Sequence, residues 1–185
     1  TKAISPVHLF GNPLNIDAVQ TFAQKHGLKI IWDAAQSHGA LWKGTDIGDF
    51  DDYVCYSFYP SKNMFVGEGG MVCTNDDDAA HRIRYLRMHG QTGKYYHTSL
   101  GLNYRLTDVE AAIGLEQMKR LDAMLEIRRR NAAALTAGLS GIAGLSLQKV
   151  TPQGTHAWHQ FCVLVEPAEF GCTRDQLAER LQAQG

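Results

Sequence analysis

Mainly apolar runs alternate with a helical pattern in the first third of the chain. Ala3 to Leu9 and Leu28 to Trp32 are typical of buried strands. Between them Asn15 can cap a helix, and Gly27 can end it. The apolar face of this predicted helix comprises Ile16, Val19, Phe22 and Ala23. A strand–helix–strand unit predicts parallel strands with a right-handed crossover, and Asp33 then lies at the sheet edge where open α/β sheets bind ligands.

Two further strands are predicted downstream, and they are joined by a loop that contains a lysine. The strands are Tyr53 to Phe58 and Gly70 to Thr74, and the lysine is Lys62. A helix is expected to begin at the three aspartates of residues 76–78 and to end before Gly90, because acidic residues complement the start of a helix and glycine its end. These elements predict an α/β fold.

A long loop and a long helix follow. Residues 91–106 are rich in Gly, Tyr and His and predict a loop. Thr107 and Glu110 form a capping-box pattern, from which one helix is expected to run to about Ala137. The apolar residues at helical spacing in it are Ala111, Leu115, Met118, Leu121 and Leu125.

The pattern changes after this helix, and we expect a domain boundary there. Residues 1–106 are interpreted as part of a large domain, 107–138 as a bridging helix and 139–185 as the beginning of a small C-terminal domain. Within the last part a strand is predicted over residues 158–165 and a helix from about Thr173.

Composition narrows the class of protein. The 185 residues are 44% hydrophobic and 20% charged, with a net charge of -1, as in ordinary soluble globular proteins. This balance does not favour nucleic acid or a membrane as a partner. The first residue is Thr1, and both ends are expected to have been cut from a longer protein.

The cysteines indicate neither a disulfide framework nor a zinc site, because none belongs to a C-x-x-C pair. They are Cys55, Cys73, Cys162 and Cys172. Reduced thiols in a cytoplasmic protein are the favoured interpretation, and no metal ligand set is expected.

Polar residues capable of cofactor chemistry concentrate at the predicted strand ends: Asp33, Gln36, Ser57 and Lys62. Pyridoxal 5'-phosphate requires a lysine amine for a Schiff base, an acid facing its pyridine nitrogen and donors for its phosphate. Each residue also has a simpler explanation. Asp33 can cap a turn and Lys62 can be a solvated loop lysine, so the spacing alone does not decide.

Short motifs across most of the chain resemble one enzyme family, the DegT/DnrJ/EryC1/StrS sugar aminotransferases. They are V-H-L-F-G-N-P at 7–13, D-A-A-Q-S-H-G-A at 33–40, S-F-Y-P-S-K-N at 57–63, G-E-G-G at 67–70, R-M-H-G-Q at 87–91, L-G-L-N-Y-R at 100–105 and A-A-I-G-L-E-Q at 111–117. The resemblance implies a type I pyridoxal-phosphate transferase fold, of which this chain has part of the large, mostly parallel sheet domain and the start of the small domain.

The resemblance also implies roles for individual residues. Lys62 corresponds to the Schiff-base lysine and Asp33 to the partner of the pyridine nitrogen. Gln36 corresponds to the residue beside the cofactor ring and its phenolic oxygen, and Ser57 to a phosphate ligand. Asn103 corresponds to an asparagine that reaches the cofactor phosphate of a neighbouring subunit, which implies a homodimer with its sites at the interface.

Three further residues are weaker candidates for contact with the sugar nucleotide, namely His97, Arg105 and His38. Trp32 departs from the family, which usually has an acidic residue there, and we expect this change to affect packing and not the chemistry. Family members also have, before the region that starts here, a Gly-Thr/Ser turn that holds the phosphate and an aromatic residue that stacks on the ring.

The resemblance implies an aminotransferase that moves an amino group, from glutamate by family analogy, to a keto group of a nucleotide-linked sugar. The product would be an amino sugar for a surface polysaccharide or a glycosylated metabolite. Lys62 argues against the dehydratase branch, in which a histidine replaces the lysine. Two alternatives stay open: a truncated, non-catalytic module that folds or dimerises without competent cofactor binding, and a generic α/β binding domain. The sugar, the nucleotide and the keto position are not determined by the sequence.

Overall fold

The computed structural model describes residues 1–50 and 52–185 and consists of short strands and longer helices. The helices are α1 (Ile16–Lys25), α2 (Asp77–Leu86), α3 (Asp108–Met118), α4 (Leu121–Leu139), α5 (Pro167–Phe170) and α6 (Arg174–Gln182). The strands are β1 (Ala3–Ile4), β2 (Lys29–Asp33), β3 (Leu41–Trp42), β4 (Thr45–Asp46), β5 (Tyr53–Ser57), β6 (Gly70–Cys73), β7 (Gln91–Gly93), β8 (Tyr96–His97), β9 (Leu145–Leu147), β10 (Gly154–Thr155) and β11 (Val163–Val165). Short 3₁₀ turns cover Leu9–Gly11 and Ile47–Asp49.

The main sheet has the strand order β1-β2-β5-β6. The first three strands are parallel, and β6 is antiparallel to β5. The predicted parallel pairing across α1 is therefore confirmed. The carboxyl ends of β2 and β5 lie side by side, with Asp33 opposite Cys55 in register, so the loops that follow them leave the sheet at the same edge.

The first strand is much shorter than the predicted Ala3 to Leu9. Pro6 has no N–H to donate, which limits regular pairing at this point. Pairing with β2 resumes irregularly beyond it, where Asp33 N donates to Pro6 O at 2.9 Å and His8 N donates to Asp33 O at 3.0 Å. His8 is thereby fixed directly beside the end of β2.

Helix α1 begins as predicted, because the Asn15 side chain accepts a hydrogen bond from Ala18 N. Gly27 follows the helix with φ +62°, a conformation that favours glycine. The predicted apolar face is wrong at Phe22, whose side chain is 51% exposed and packs on the ring of His26.

The hydrophobic core lies between the main sheet and the helices α1 and α4. Trp32 is its largest fully buried side chain. The other buried members are Ile16, Ala23, Ile30, Ala34, Ala40, Trp42, Ile47, Val54, Leu125 and Ala157. A second cluster is formed by Phe58, Met64 and Val66, which belong to the segment between β5 and β6 that also carries Lys62. The loop therefore contributes buried apolar side chains of its own.

The predicted long helix is two helices, α3 and α4, which are separated at Lys119 and Arg120. Its capping box at Thr107 is confirmed. Gly114 of α3 lies close to Val66, and Leu125 of α4 is buried in the main core beside Gly39. Leu121, at the start of α4, packs against both clusters. The predicted apolar stripe is also wrong in α3, where Leu115 and Met118 are 65% and 59% exposed.

The first part of the last third of the chain contacts β3 and the first turn of the chain. Strand β10 pairs with β3, and Ala157 N donates to Gly11 O at 2.8 Å. The strand predicted over residues 158–165 is confined to β11, because Trp158 has φ +49° and breaks the extended backbone. The predicted loop 91–106 is likewise corrected, since it contains the hairpin of β7 and β8. No helix in the described ranges is long and apolar enough to cross a membrane.

Candidate functional site

Three polar residues lie on the two adjacent strand ends and in the loop after them. Asp33 ends β2, Ser57 ends β5, and Lys62 lies in the loop between β5 and β6. Asp33 is opposite Cys55, and alternate residues of a strand face the same side, so Ser57 lies on the Asp33 face of the sheet. The fold thus brings the acid and the hydroxyl to one side of one edge.

The carboxylate of Asp33 is held by the turn that follows it. Its Oδ1 accepts a hydrogen bond from Ala35 N at 3.0 Å, and Ala34 N donates to Cys55 O at 2.9 Å. Burial and the Asp33 charge raise the pKa of the Cys55 thiol, so this cysteine is a packing residue and not a nucleophile. Oδ2 of Asp33 accepts no hydrogen bond within the described residues and is left for a ligand.

Gln36 is oriented by a backbone group from the start of the chain. Its Oε1 accepts a hydrogen bond from Phe10 N at 2.6 Å. Phe10 has φ +60°, and this left-handed conformation belongs to the short turn before α1. Because the backbone N–H can only donate, the amide oxygen is the acceptor, and the amide NH₂ of Gln36 remains as a donor.

His8 is a site neighbour that the sequence analysis missed. Its Nδ1 accepts a hydrogen bond from Leu14 N at 3.0 Å, and its ring stacks on Trp32 at 5.2 Å. Burial lowers the pKa of His8 to about 4, although the charge of Asp33 opposes the shift. The ring is therefore neutral near pH 7 and carries its proton on Nε2. The signal in the sequence is the single histidine in the mainly apolar run before the first turn.

Trp32 precedes Asp33 in β2, and its side chain lies in the hydrophobic core. It is fully buried, and its indole packs parallel to the His8 ring with an angle of 17° between the planes. The substitution of the family's acidic residue by Trp32 therefore acts on core packing in this structure, while Asp33 keeps its place at the strand end.

The loop of Lys62 is anchored on both sides of the lysine. Lys62 N donates to Tyr59 O at 2.9 Å, and Ser57 Oγ accepts from Tyr59 N at 3.4 Å. The next residue, Asn63, is buried and donates from Nδ2 to Ala157 O at 2.9 Å. Lys62 is itself partly buried, so it is not the freely solvated loop lysine of the simpler explanation.

His38 lies in the same group. Only 5% of its surface is exposed, and its ring is 5.2 Å from the Tyr56 ring and 5.9 Å from the Phe58 ring. Burial lowers the pKa of His38 to about 4, with smaller contributions from His159 and Lys62. Neither ring nitrogen has a hydrogen-bond partner in the part of the chain that the structure describes.

His159 is the second neighbour that the sequence analysis missed. It is buried, and burial followed by the charges of Lys62 and Arg128 lowers its pKa. It comes from the segment after β10, almost a hundred residues beyond Lys62 in the sequence. No local pattern indicates such a contact, although the polar residue in W-H-Q-F interrupts an apolar run.

The remaining candidates lie together in the segment between α2 and α3. Arg105 Nε donates to Asn103 Oδ1 at 2.7 Å, and His97 Nδ1 lies 3.0 Å from His89 O. All three candidate side chains are exposed. No hydrogen bond or ring contact of residues 1–50 and 52–185 joins them to Asp33, Gln36, Ser57, Lys62 or His38.

Comparison with known proteins identifies the family of the chain. The model of the DegT/DnrJ/EryC1/StrS aminotransferase family matches residues 1–185. A dTDP-3-amino-3,4,6-trideoxy-alpha-D-glucose transaminase from Streptomyces venezuelae is 40% identical over 186 residues, which is 100% of this chain and 48% of the relative. A UDP-N-acetyl-3-dehydro-alpha-D-glucosamine 3-aminotransferase from Acidithiobacillus ferrooxidans is 39% identical over 186 residues, which is 100% of this chain and 48% of that relative.

Solved structures give the same result for the fold. The crystal structure of Streptomyces venezuelae DesV in complex with a ketimine intermediate has a TM-score of 0.94 and 39% identity, covering 100% of this chain and 48% of that one. An aminotransferase of the same family from Brucella abortus has a TM-score of 0.90, 33% identity and the same coverages, 100% and 48%.

The mixed sheet, with an acid and a lysine after adjacent strands, defines an α/β protein with the type I transferase fold. More specifically, the chain belongs to the DegT/DnrJ/EryC1/StrS aminotransferase family. It spans about half the length of the curated relatives that it matches.

Proposed function

We propose that the chain is part of an enzyme that transfers an amino group from an amino acid, glutamate by family analogy, to a keto carbon of a nucleotide-linked sugar. Lys62 holds pyridoxal 5'-phosphate for this reaction. The observation that carries the proposal is the convergence of Asp33, Gln36, Ser57 and Lys62 at one sheet edge. Relatives named as nucleotide-sugar aminotransferases support the substrate class.

Each of these residues keeps a polar group that is chemically suited to this cofactor. Asp33 retains a carboxylate oxygen, which suits a protonated pyridine nitrogen. Gln36 retains an amide NH₂, which suits the phenolic oxygen. Ser57 retains a hydroxyl proton, which suits a phosphate oxygen. Each residue is fixed by a backbone N–H, so these groups are held in place before a ligand arrives.

The cofactor supplies an electron sink when the α-proton of the amino donor leaves. The residues of this chain do the remaining work. The negative charge of Asp33 favours a proton on the pyridine nitrogen. Lys62 would hold the cofactor through Nζ, and the same Nζ would carry a proton during the transfer.

The second part of the proposal concerns the exposed candidates. We infer a homodimer in which Asn103 reaches the cofactor phosphate of the other subunit, and in which His97 and Arg105 face the sugar nucleotide. Their exposure in one chain supports this arrangement. The enzyme would act in the cytoplasm on a keto sugar, and its product would be an amino sugar for a surface polysaccharide or a glycosylated metabolite.

The test is covalent trapping of the cofactor. The chain is incubated with pyridoxal phosphate, reduced with borohydride and digested, and the labelled peptide is identified by mass spectrometry. Label is expected on Lys62 and is expected to disappear in Lys62→Ala. Lys149→Ala is the matched control, because Lys149 is exposed and remote from the site in the sequence, and it should label like the parent.

Two outcomes would contradict parts of the proposal. Equal cofactor uptake by Lys62→Ala and the parent would remove the role of Lys62. A well-folded chain without a stable adduct would favour the alternative of a non-catalytic module. Amino transfer is then measured with glutamate and 3-keto or 4-keto nucleotide sugars.

A further inference from the structure

One side chain ties the loop between β5 and β6 to a distant part of the chain. Asn63, the residue after Lys62, donates from Nδ2 to Ala157 O at 2.9 Å. The backbone hydrogen bonds described for the loop stay inside it, such as the one from Lys62 N to Tyr59 O at 2.9 Å. Asn63 is therefore the hydrogen-bonded link between the lysine loop and that distant segment.

The amide of Asn63 is enclosed by protein. Only 3% of the residue is exposed, and Ala157 is fully buried. Because a carbonyl oxygen can only accept, the bonded atom is Nδ2, and Oδ1 is left buried with no hydrogen-bond partner among the described residues. An unpaired buried oxygen costs free energy that an aliphatic side chain of similar size would not cost. The amide at this position is thus explained by the hydrogen bond that it donates and not by packing.

The acceptor lies in residues 157–160, which other parts of the fold hold in place and which we call the supporting segment. Ala157 N donates to Gly11 O at 2.8 Å, and Arg128 Nη1 donates to Trp158 O at 3.1 Å. Trp158 has φ +49°, a conformation that a bulky residue keeps only where its surroundings fix it. The acceptor oxygen is therefore held in a fixed position.

The supporting segment also holds the other side of the candidate site. Gln160 N donates to Phe10 O at 3.3 Å, and Phe10 N donates to Gln36 Oε1 at 2.6 Å. The side chain of Gln36 and the loop of Lys62 are thus connected to the same segment by hydrogen bonds. Two parts of the site that are separate in the sequence share one support.

Fixing Asn63 also fixes the start of the Lys62 side chain, because consecutive Cα atoms are about 3.8 Å apart across a trans peptide. The amine ends a long flexible side chain, so its reach depends on where the Cα atom is held. We propose that Asn63 is a positioning residue for Lys62: its amide ties the lysine loop to the supporting segment and thereby places Lys62 relative to Gln36. The inference rests on the proposed function, in which both residues contact one cofactor.

The first test needs no cofactor and follows amide hydrogen exchange of the 185-residue chain by NMR. Asn63→Leu keeps the size of the side chain without its donor. Exchange is expected to accelerate about tenfold at Lys62 N–H and Ala157 N–H, as for the loss of one hydrogen bond. The reference is Val19 N–H in α1, which donates to Asn15 O at 3.2 Å and should keep its rate. Equal acceleration at Val19 would indicate a loss of global stability and would overturn the inference, as would unchanged exchange at Lys62.

A second asparagine provides the matched control. Asn12 Nδ2 donates to Lys149 O at 2.9 Å, and Asn12 Oδ1 accepts from Thr151 N at 3.1 Å, so this residue also joins two distant parts of the chain. These hydrogen bonds do not involve the lysine loop, and Asn12→Leu should leave exchange at Lys62 N–H unchanged. Equal acceleration in Asn12→Leu and Asn63→Leu would show a general effect of lost long-range hydrogen bonds and would contradict the specific role of Asn63.

Asn63→Asp tests the hydrogen bond itself. A carboxylate cannot donate to Ala157 O, whereas a protonated carboxyl can, and burial raises the pKa of a carboxyl. Exchange at Ala157 N–H, relative to the parent at the same pH, should be about tenfold faster near pH ~8 and should return toward the parent rate near pH ~6. A ratio that does not change with pH would overturn the inference. This variant also keeps the inference testable if Asn63→Leu does not fold.

The last test measures the rate of borohydride-trapped labelling of Lys62 by pyridoxal phosphate in variants whose Val19 exchange matches the parent. Asn63→Leu is expected to slow labelling about tenfold, and Asn12→Leu should label like the parent. An equal rate in Asn63→Leu and the parent contradicts only the role of Asn63. Absence of label in the parent contradicts the proposed function, and hydrogen exchange at Lys62 then decides alone whether Asn63 holds the loop.

Discussion

The surroundings of Lys62 and the segment between α2 and α3 differ in how their polar side chains are held. Around Lys62, Gln36 is bonded to a backbone group from another part of the fold, Phe10 N, and His38 is buried. In the other segment, Asn103 and Arg105 are exposed and bonded to each other.

This difference separates two kinds of functional residue. The Lys62 surroundings are organised by the chain itself, so their substitution affects stability and function together. Substitution of Asn103 and Arg105 should change the stability of the monomer little. Any effect on function must then come from a partner or a substrate. Stability measurements on matched substitutions therefore test the comparison directly.

The largest effect is expected from acid. Burial lowers the pKa of His8, His38 and His156 to about 4 from 6.5. The unfolded chain binds these protons below pH 6.5, whereas the folded chain does not, so stability is full above that pH and is lost as the pH falls toward 4. From pH 7 to 5 the loss is about 2 kcal/mol for each ring. Urea unfolding at both pH values measures it.

Substitution of one buried histidine makes the acid prediction specific. His38→Asn should reduce the pH dependence, because it removes one buried ring. Equal pH dependence in the parent and in His38→Asn would contradict the prediction.

The next effect is steric. Gly11 has φ +92°, and a Cβ atom there would lie 2.9 Å from Gln36 O and 3.1 Å from His159 N. Gly11→Ala is expected to lower the free energy of unfolding by about 3 kcal/mol. Gly138→Ala is the control, because no heavy atom of the described residues lies within 4 Å of its Cβ position, and in a helix interior it should stabilise by about 0.5–1 kcal/mol. A change of the same sign in the free energy of unfolding of both variants would contradict this contrast.

Two glutamines give a smaller and more direct contrast. Gln36→Ala leaves the N–H of Phe10 without its partner and should cost about 1–3 kcal/mol. Gln91→Ala in the exposed segment removes only a contact with His97 and should cost less than about 0.5 kcal/mol. Equal costs, measured by urea unfolding, would show that the two regions are not held differently.

The smallest effect on stability is expected in the exposed pair itself. Asn103→Ala and Arg105→Ala, alone or together, should change the free energy of unfolding by less than about 0.5 kcal/mol. If the proposed dimer is correct, Asn103→Ala should nevertheless weaken cofactor retention in the dimer. Unchanged retention would contradict that role for Asn103.

The sequence predicted the elements whose signals are local. Asn15 and Thr107 cap the predicted helices, and β1 and β2 pair in parallel across α1. The sequence analysis failed where the structure depends on contacts between residues that are far apart in the chain. The break at Lys119 and Arg120 has no proline or glycine to mark it in the sequence.

The site shows the same division. Asp33, Ser57 and Lys62 could be found because strand ends are visible in the pattern of apolar residues. His8 and His159 were missed because their role depends on burial, which an isolated histidine in an apolar run does not reveal. The burial of His159 depends on packing between segments that are far apart in the sequence, and such packing has no local signal.

The contact at Gly11 has a consequence for recombination between relatives. Residues near positions 11, 36 and 157–159 meet there in one crossing without room for a methyl group. A chimera that takes residues 1–138 from this chain and the remainder from a relative would separate the two halves of that crossing. Crossover points are therefore best placed after residue 160, where the chain has already left the crossing, even though the end of α4 is the more visible boundary.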